Sequence, residues 1–390
     1  MTLSAGGIVY ALFVLKALGG IQKLRRMSTA PSVAVSQTIS IVIAARNEEE
    51  WIGKTLESLL AQRFAKSQQS LQIVVVDDRS TDRTAEIAAE FVANYPQLRL
   101  IRQTSVPPNV SPKKAALALG IANSSGEVIL LTDADCLHDP GWAEQLTASL
   151  LAGSPTSFAG RGEDNPGMSI GQARFIVPND APLWQRLQAL DFAAQGVLSA
   201  GLVAAGTPYN CCGASLAFTR EAFDRVGGWD GLEQFISGDD ELLMRRFVAH
   251  GIPVVAAMGV ASVVQTRPPA NLSELWHQRA RWGSKTLHYP AGQKAVLTGI
   301  FLFYLALALT PFFSCSWGLF SAATGAFSVK FLVDLFLLIA SRPLYGDQIR
   351  LGEFFLAELL HPPVIVALAI LGAFGSFDWK GTTYKTKATT

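Results

Sequence analysis

Four short runs of apolar residues recur through the first third of the chain: ISIVIAA at 39–45, LQIVVVD at 71–77, the weaker LRLIR at 98–102 and EVILLTD at 127–133. Continuous, β-branched runs of this length are what strands buried on both faces require, which predicts a parallel sheet. The segments between them change period. Ile52, Leu56, Leu59 and Leu60 recur at helical spacing, as do Ile87, Phe91 and Val92, and Ser111-Pro112 opens a further helical stretch with a cap and a first-turn proline. Strand and helix in alternation predict an open α/β sheet with right-handed crossovers.

The two ends follow a different pattern. Residues 3–21 are apolar apart from Lys16 and are followed by Lys23, Arg25 and Arg26. A cleaved signal would carry its positive charge before the apolar run, so this segment is expected to be an anchor with its C-terminal side in the cytoplasm. Residues 295–314 and 317–340 are each long enough to span, given the need for about 20 residues. The run 354–375 contains His361-Pro362-Pro363 and is expected to span with a kink or to re-enter. Segment 182–206 is apolar enough to lie against the membrane, or to be a buried helix. The expected organisation is an anchor over 1–21, a cytoplasmic α/β domain over 36–290 and a membrane region of two or three spans over 294–376. Four spans would put Lys380, Lys385 and Lys387 outside, against the charge rule, which favours re-entry of the last segment. Lys330 and Asp334, four apart inside a span, are expected to pair on a protein-facing side, because an unpaired charge there costs about 2.5 to 3.5 kcal/mol.

Composition agrees with this division. The 390 residues are 49% hydrophobic and 16% charged, with a net charge of +1, so part of the chain belongs in lipid and no basic stripe marks a nucleic-acid partner. Cys136, Cys211, Cys212 and Cys315 have neither metal-ligand spacing nor a disulfide framework and read as reduced thiols.

The chemistry lies where the strands end. The first ends in Arg46-Asn47-Glu48-Glu49, the second in Asp77-Asp78 and the third in Asp133-Ala134-Asp135. Ligands of parallel sheets bind beyond the carboxyl ends of the strands, so these clusters are expected on one rim. Four aspartates there raise one another's pKa unless a cation joins them. Oxygen donors in small number suit Mg2+ or Mn2+ completed by phosphates, although Asp133 alone reads equally well as a strand-terminal turn residue. Lys113 and Lys114 begin a helix where the dipole is already positive, an arrangement that a bound phosphate offsets; two solvated surface lysines are the plainer alternative. Gln278, Arg281 and Trp282 fall on one helix face, an amide, a guanidinium and an indole suited to phosphate and sugar, unless Trp282 is core and Arg281 a surface charge.

SGDDELLMRR at 237–246 sets three acids before an apolar helical turn. With successive residues turned by about 100°, Leu243, Met244, Phe247 and Val248 define a face centred on the direction of Asp240, with Asp239 and Glu241 to either side. Asp240 is thus the acid expected to point inward, and the other two to cap and solvate.

ISIVIAARNEE, VVVDDRSTDRT, LTDAD, CCGASLAFTREAFDRVGGWD, SGDDELLMRR and QRARW, in this order over about residues 38–285, resemble the family 2 glycosyltransferases of GT-A fold, especially the membrane-bound branch with a Q-x-x-R-W motif. The resemblance implies an inverting enzyme using a nucleotide sugar, usually a UDP-sugar, and a divalent metal. It implies a nucleotide site at Ala45, Asn47, Glu48 and Asp78, with Asp77 beside it, a metal-diphosphate site at Asp133 and Asp135 helped by Lys113 or Lys114, and Gln278, Arg281 and Trp282 at the diphosphate and acceptor mouth. The catalytic acid pair would be Asp239 and Asp240. The family's base is followed by Arg at six residues and Gly at eleven, and Asp240 meets both with Arg246 and Gly251. Ser111-Pro112 and Ser215 depart from the family's pattern and leave the donor sugar open.

The expectation is therefore an enzyme of the cell's inner membrane, multi-pass, transferring a sugar to a membrane lipid or lipid-linked acceptor. A processive polysaccharide synthase with a glycan acceptor is the alternative within the class. A non-catalytic nucleotide-binding assembly partner is the alternative outside it, and the intact acids argue against that.

Overall fold

The apolar runs become adjacent strands. The computed structural model describes residues 2–27, 35–64, 71–152, 166–313, 317–346, 350–380 and 382–385, so Cys315 and Lys387 lie outside the described residues. After helix α1 (Thr2–Met27), the chain alternates β1 (Ile39–Ala45), α2 (Ile52–Leu60), β2 (Leu71–Asp78), α3 (Thr84–Asn94), β3 (Leu98–Gln103), α4 (Pro112–Ala122) and β4 (Val128–Asp133). The second half brings β5 (Cys136–Leu137), α5 (Trp142–Leu151), β6 (Met168–Ile170), β7 (Gln172–Phe175), α6 (Leu183–Ala204), β8 (Leu216–Thr219), α7 (Arg220–Arg225) and α8 (Glu241–Ala249). It continues with β9 (Val254–Ala256), β10 (Val263–Thr266), α9 (Leu272–Ser284), α10 (Ala291–Phe313), α11 (Trp317–Tyr345) and α12 (Leu351–Phe374), and then with a hairpin of β11 (Ser376–Trp379) and β12 (Thr382–Lys385).

The main sheet has the order β3-β2-β1-β4-β8-β6-β9, and a small sheet the order β5-β10-β7. β1 is parallel to β2 on one side and to β4 on the other, with Ala45 opposite Asp77 and Ala44 opposite Asp133. The chain steps away from β1 in one direction through β2 and β3, then returns to its other side with β4. That reversal leaves a crevice beyond the carboxyl ends of β1, β2 and β4, as the strand endings predict. The strands are buried through Ile41, Val42, Ile43, Val74, Val75 and Leu130, whose branched side chains fill both faces.

Five helices are long and apolar enough to cross a membrane, over Leu3–Met27, Leu183–Ala204, Ala291–Phe313, Trp317–Tyr345 and Leu351–Gly372. α1 crosses α6 with backbones in contact: a Cβ on Gly20 would lie 1.8 Å from the Gly201 carbonyl oxygen. The expected Lys330–Asp334 pair is present at 3.0 Å, and Lys330 also binds Glu358 of α12. Tyr10 of α1 donates to Asp334 at 2.7 Å, so the buried ammonium, set between two carboxylates, joins three helices.

α12 touches the α/β layer at both ends. Near its start Glu353 pairs with Arg186 at 3.3 Å, and near its finish Gly372 lies against Gly283 of α9, where a Cβ would come within 2.8 Å of the Gly283 Cα. The hairpin that follows returns to the sheet's rim, where Lys380 reaches Glu48 at 2.6 Å. An apolar helix anchored this way runs along the α/β layer with Phe355, Leu359, Val364 and Ile370 turned outward.

Candidate functional site

Two adjoining hollows occupy the rim. The outer cleft, about 520 Å3, is walled by Ala45, Arg46, Glu48 and Asp78 at the ends of β1 and β2 and by Asp378 and Lys380 of the hairpin. The inner cavity, about 330 Å3, is walled by Asp239, Asp240, Trp282 and Lys285. Lys113, Asp133, Asp135, Gln278 and Arg281 line both and form the seam.

The rim residues differ in what remains for a ligand. Asp78 is buried and accepts from Arg79 at 2.7 Å and Gln103 at 2.9 Å. Asp77 accepts from the Ser80 N–H at 3.3 Å and does not line the cleft, so it shapes the turn after β2. Asn47 stands in the left-handed region at φ 53° and accepts from the Thr81 N–H at 2.9 Å, tying the two rim turns together without lining the cleft. Ala45 and Glu48 do line it, and Glu48 is matched by Lys380.

The two lysines diverge. Lys113 donates to Asp133 and stands equally close, at 2.8 Å, to Asp239, so it bridges the seam to the inner acids. Lys114 is fully buried and donates to the carbonyls of Leu232 at 2.8 Å and Phe235 at 2.6 Å. Burial pushes its ammonium down to about 8. The expected second phosphate lysine is instead a strut for the loop ahead of Asp239 and Asp240. Ser111 has the cap position, but its side chain makes no cap bond and turns towards the Ile236 carbonyl.

The three acids of 239–241 depart from the helix-phase expectation. α8 begins at Glu241, so Asp239 and Asp240 precede the helix and its periodicity does not govern them. All three are turned inward. Glu241, expected to solvate, is the most buried, paired with Lys285 at 2.9 Å and Arg245 at 2.5 Å. Asp239 is buried too; its burial alone would raise the carboxyl, but Lys113 outweighs that and holds it at about 2. Asp240 does the capping, accepting from the Glu241 N–H at 2.6 Å and the Gly213 N–H at 2.9 Å. Burial raises its pKa against the pull of Lys285 at 3.7 Å, with Asp239 and Glu241 adding to the rise. Of the three acids of 239–241, Asp240 thus joins a raised proton affinity to a place on the cavity wall.

Asp133 and Asp135 lie close enough to share one cation, with the Cys136 thiol alongside. Burial lifts Asp135 to about 7, reinforced by Asp133 and Glu48 and opposed by Arg267 at 3.6 Å. A crowded, partly desolvated carboxylate pair with an open side fits Mg2+ or Mn2+. The Cys136 thiol is fully buried and its pKa is pushed up by that burial, which leaves the oxygens as the natural donors.

Gln278, Arg281 and Trp282 all face the cavity from α9, and Trp282 stacks on Phe192 of α6 at 5.5 Å. Ser215 is buried away from the cavity, accepting from Trp142 Nε1 at 2.9 Å, so its departure from the family's pattern does not reach the site. Three participants escaped the sequence reading. Lys285 follows the Q-x-x-R-W stretch at close range; Arg267 and the hairpin's Lys380 arrive from distant positions that carry no local pattern.

Residues 128–371 match the family described as Glycosyl transferase family group 2, and residues 40–192 that described as Glycosyl transferase family 2. A β-monoglucosyldiacylglycerol synthase of Synechocystis sp. is 29% identical over 251 residues, 63% of this chain and 47% of that protein. A poly-β-1,6-N-acetyl-D-glucosamine synthase of Staphylococcus aureus (strain COL) is 23% identical over 261 residues, 66% of this chain and 57% of that protein. The chain therefore matches about half the length of these curated relatives. Among solved structures, a mannosyltransferase from Pyrobaculum calidifontis in complex with GDP-Man and Mn2+ superposes with a TM-score of 0.52 at 17% identity, covering 95% of this chain and 99% of that one. The shared fold is the GT-A fold.

Proposed function

This chain belongs to the glycosyl transferase family group 2 and is a glycosyltransferase, and on that premise we propose that it moves a sugar from a UDP-sugar to a membrane lipid or lipid-linked acceptor with inversion. The observation that carries the reading is the division of labour across the seam. Asp240 faces only the inner cavity, Asp78 only the outer cleft, and the Asp133–Asp135 pair stands between them with Arg281.

The nucleotide would lie in the outer cleft against Ala45 and Asp78, placing its diphosphate at the seam. Asp133 and Asp135 would hold a divalent cation there, which supplies charge neutralisation to the departing diphosphate. Arg281 and Lys113 add fixed positive charge to the same place. From the inner side, the acceptor oxygen forms its bond to the anomeric carbon while the bond from that carbon to the diphosphate breaks, its electron pair leaving with UDP. The acceptor proton passes to Asp240. Asp239, locked to Lys113, is too weak a base for this and instead steadies the lysine. With Asp133 and Asp135 given to the cation, and Asp239, Glu241 and Glu274 held by Lys113, Lys285 and Arg267, Asp240 acts as the one base of a single displacement, hence inversion.

The helices support a multi-pass arrangement with the α/β domain on the cytoplasmic side of the inner membrane. Lys23, Arg25 and Arg26 close α1 on that side. If α1, α10 and α11 cross and α12 runs along the interface, the tail returns to the catalytic side, a course that the contact of Lys380 with Glu48 supports. The conflict between four spans and the tail's lysines then disappears.

The reading is tested with purified protein in detergent, by UDP release from a panel of UDP-sugars with Mg2+ or Mn2+ and a lipid acceptor. Release that depends on metal and acceptor is expected. Absence of release from every donor, with no thermal stabilisation by any, would leave the non-catalytic partner as the better account. Counting sugars per acceptor separates single transfer from polymer synthesis.

A further inference from the structure

We propose that the acceptor end of the inner cavity takes an uncharged, hydroxyl-bearing acceptor and not a phosphorylated one, with Gln172 reading its hydroxyl groups. The inference rests on the glycosyl-transfer reading above and narrows its acceptor.

Charge comes first. The cavity wall carries six carboxylates and four basic side chains, and its ammonium groups are already matched. Lys113 lies between Asp133 and Asp239, each at 2.8 Å, and Lys285 between Glu241 at 2.9 Å and Asp240 at 3.7 Å. Arg267 pairs with Glu274 at 3.1 Å and Asp135 at 3.6 Å. The fourth base, Arg281, is the one given above to the donor diphosphate at the seam, so a phosphate monoester, with a charge of about −1.5 to −2 at neutral pH, would have to displace a carboxylate or that diphosphate to find a cation. A neutral acceptor displaces nothing.

The base points the same way. A phosphate monoester is already largely ionised at neutral pH and attacks without losing a proton, whereas an alcohol keeps its proton until a base removes it. Asp240, held by two backbone N–H groups on the cavity wall, answers a need that only an alcohol has.

Two amide atoms of the wall are buried without a hydrogen-bond partner among the described residues: the Nε2 of Gln172, which is 5% exposed, and the Oε1 of Gln278. Both residues line the inner cavity, and Gln172 does not reach the outer cleft. A hydroxyl group accepts from an amide N–H and donates to an amide oxygen, so a hydroxylated ligand satisfies both glutamines. Gly196 of α6 fixes the arrangement: a Cβ there would stand 2.5 Å from Gln172 Oε1, so the helix backbone closes directly over the amide. Leu297 of α10 also lines the cavity and gives it an apolar side facing the helices.

The test uses the full chain in detergent with Mn2+ and, separately, UDP-glucose, UDP-galactose and UDP-N-acetylglucosamine. UDP release is measured with no acceptor, with dioleoylglycerol, with the same lipid bearing a phosphate (phosphatidic acid), and with octyl glucoside. We expect at least tenfold stimulation by dioleoylglycerol or octyl glucoside, which separate a lipid alcohol from a sugar hydroxyl, and background release with phosphatidic acid. Gln172→Leu should raise the KM of the accepted alcohol about tenfold, the cost of one lost hydrogen bond in a buried site, and leave UDP affinity by calorimetry unchanged. Gln172→Glu, which keeps the shape and loses the donor, should agree. Stimulation by phosphatidic acid equal to that of the alcohols, or an unchanged acceptor KM in both variants, overturns the proposal. No UDP release under any condition, from water or acceptor, fails the glycosyl-transfer reading itself.

Discussion

The Lys285 ammonium stands 3.7 Å from the Asp240 carboxylate, and both line the inner cavity. Its nearer partner is Glu241, at 2.9 Å. The lysine therefore tempers the proton affinity of Asp240 without neutralising it by direct contact, and the groups around it decide at what pH the enzyme works.

As the proposed base, Asp240 would act in its carboxylate form, and burial raises its pKa. The value of kcat/KM should therefore fall as pH drops through a point above the usual carboxylate range. Lys285→Met removes the main opposing charge, leaving Asp239 and Glu241 to push further, so the acid limb should move to higher pH. Lys285→Arg should restore it in part. The pH profiles of the three proteins decide the matter; an unmoved limb in the methionine variant would detach Lys285 from the base.

Asp240→Asn should cut turnover by about 10²- to 10⁴-fold and leave UDP affinity nearly intact. Asp135→Asn should weaken metal-dependent UDP binding itself. Asp239→Asn should fall between them, because it frees Lys113 from one of its two partners and disturbs the seam. Turnover and calorimetric UDP affinity, measured on all three, distinguish these roles. An inactive Asp239→Asn beside an active Asp240→Asn would move the base back one residue.

Lys114→Met leaves at least two buried carbonyls without their donor and should cost about 1–3 kcal/mol. Because the ammonium is held at about 8 against an ordinary 10.5, the unfolded chain binds the extra proton between those values. Wild-type stability from this group should then rise with pH over that window, a slope the methionine variant lacks. Thermal midpoints from pH 7 to 10 in detergent measure both effects.

Lys330→Met strands Asp334 and Glu358 in apolar surroundings, and losing one partner of a buried ion pair costs about 3–5 kcal/mol. Adding Glu358→Gln to the same protein should recover part of that loss. Thermal midpoints of single and double variants supply the comparison, and an unaltered single variant would place the cluster in water.

Cysteines introduced as Thr383→Cys and Glu50→Cys should both resist a membrane-impermeant reagent until the membrane is opened, because the hairpin lies on the same rim as Glu48. Labelling of the hairpin alone from outside would require α12 to cross.

The chain's order of residues determined the sheet, the rim and the family, for a local reason. Strand burial writes continuous apolar runs, helices write a 3.6-residue period, and a parallel sheet sends every strand's polar ending to one edge, so Glu48, Asp78, Asp133 and Asp135 were legible before any coordinates. The face of α9 bearing Gln278, Arg281 and Trp282 was legible through the same periodicity. What only the tertiary structure decided depends on partners remote in sequence. Lys114 became a strut because the carbonyls of 232–237 close over it, while its neighbour Lys113 turned to the acids. Glu241 and Asp239 were drawn inward by Lys285 and Lys113, against a helix phase that has no authority before the helix begins. The course of α12 is of the same kind: an apolar run fixes that a helix prefers lipid, but contacts at Glu353, Gly372 and Lys380 fix which way it lies.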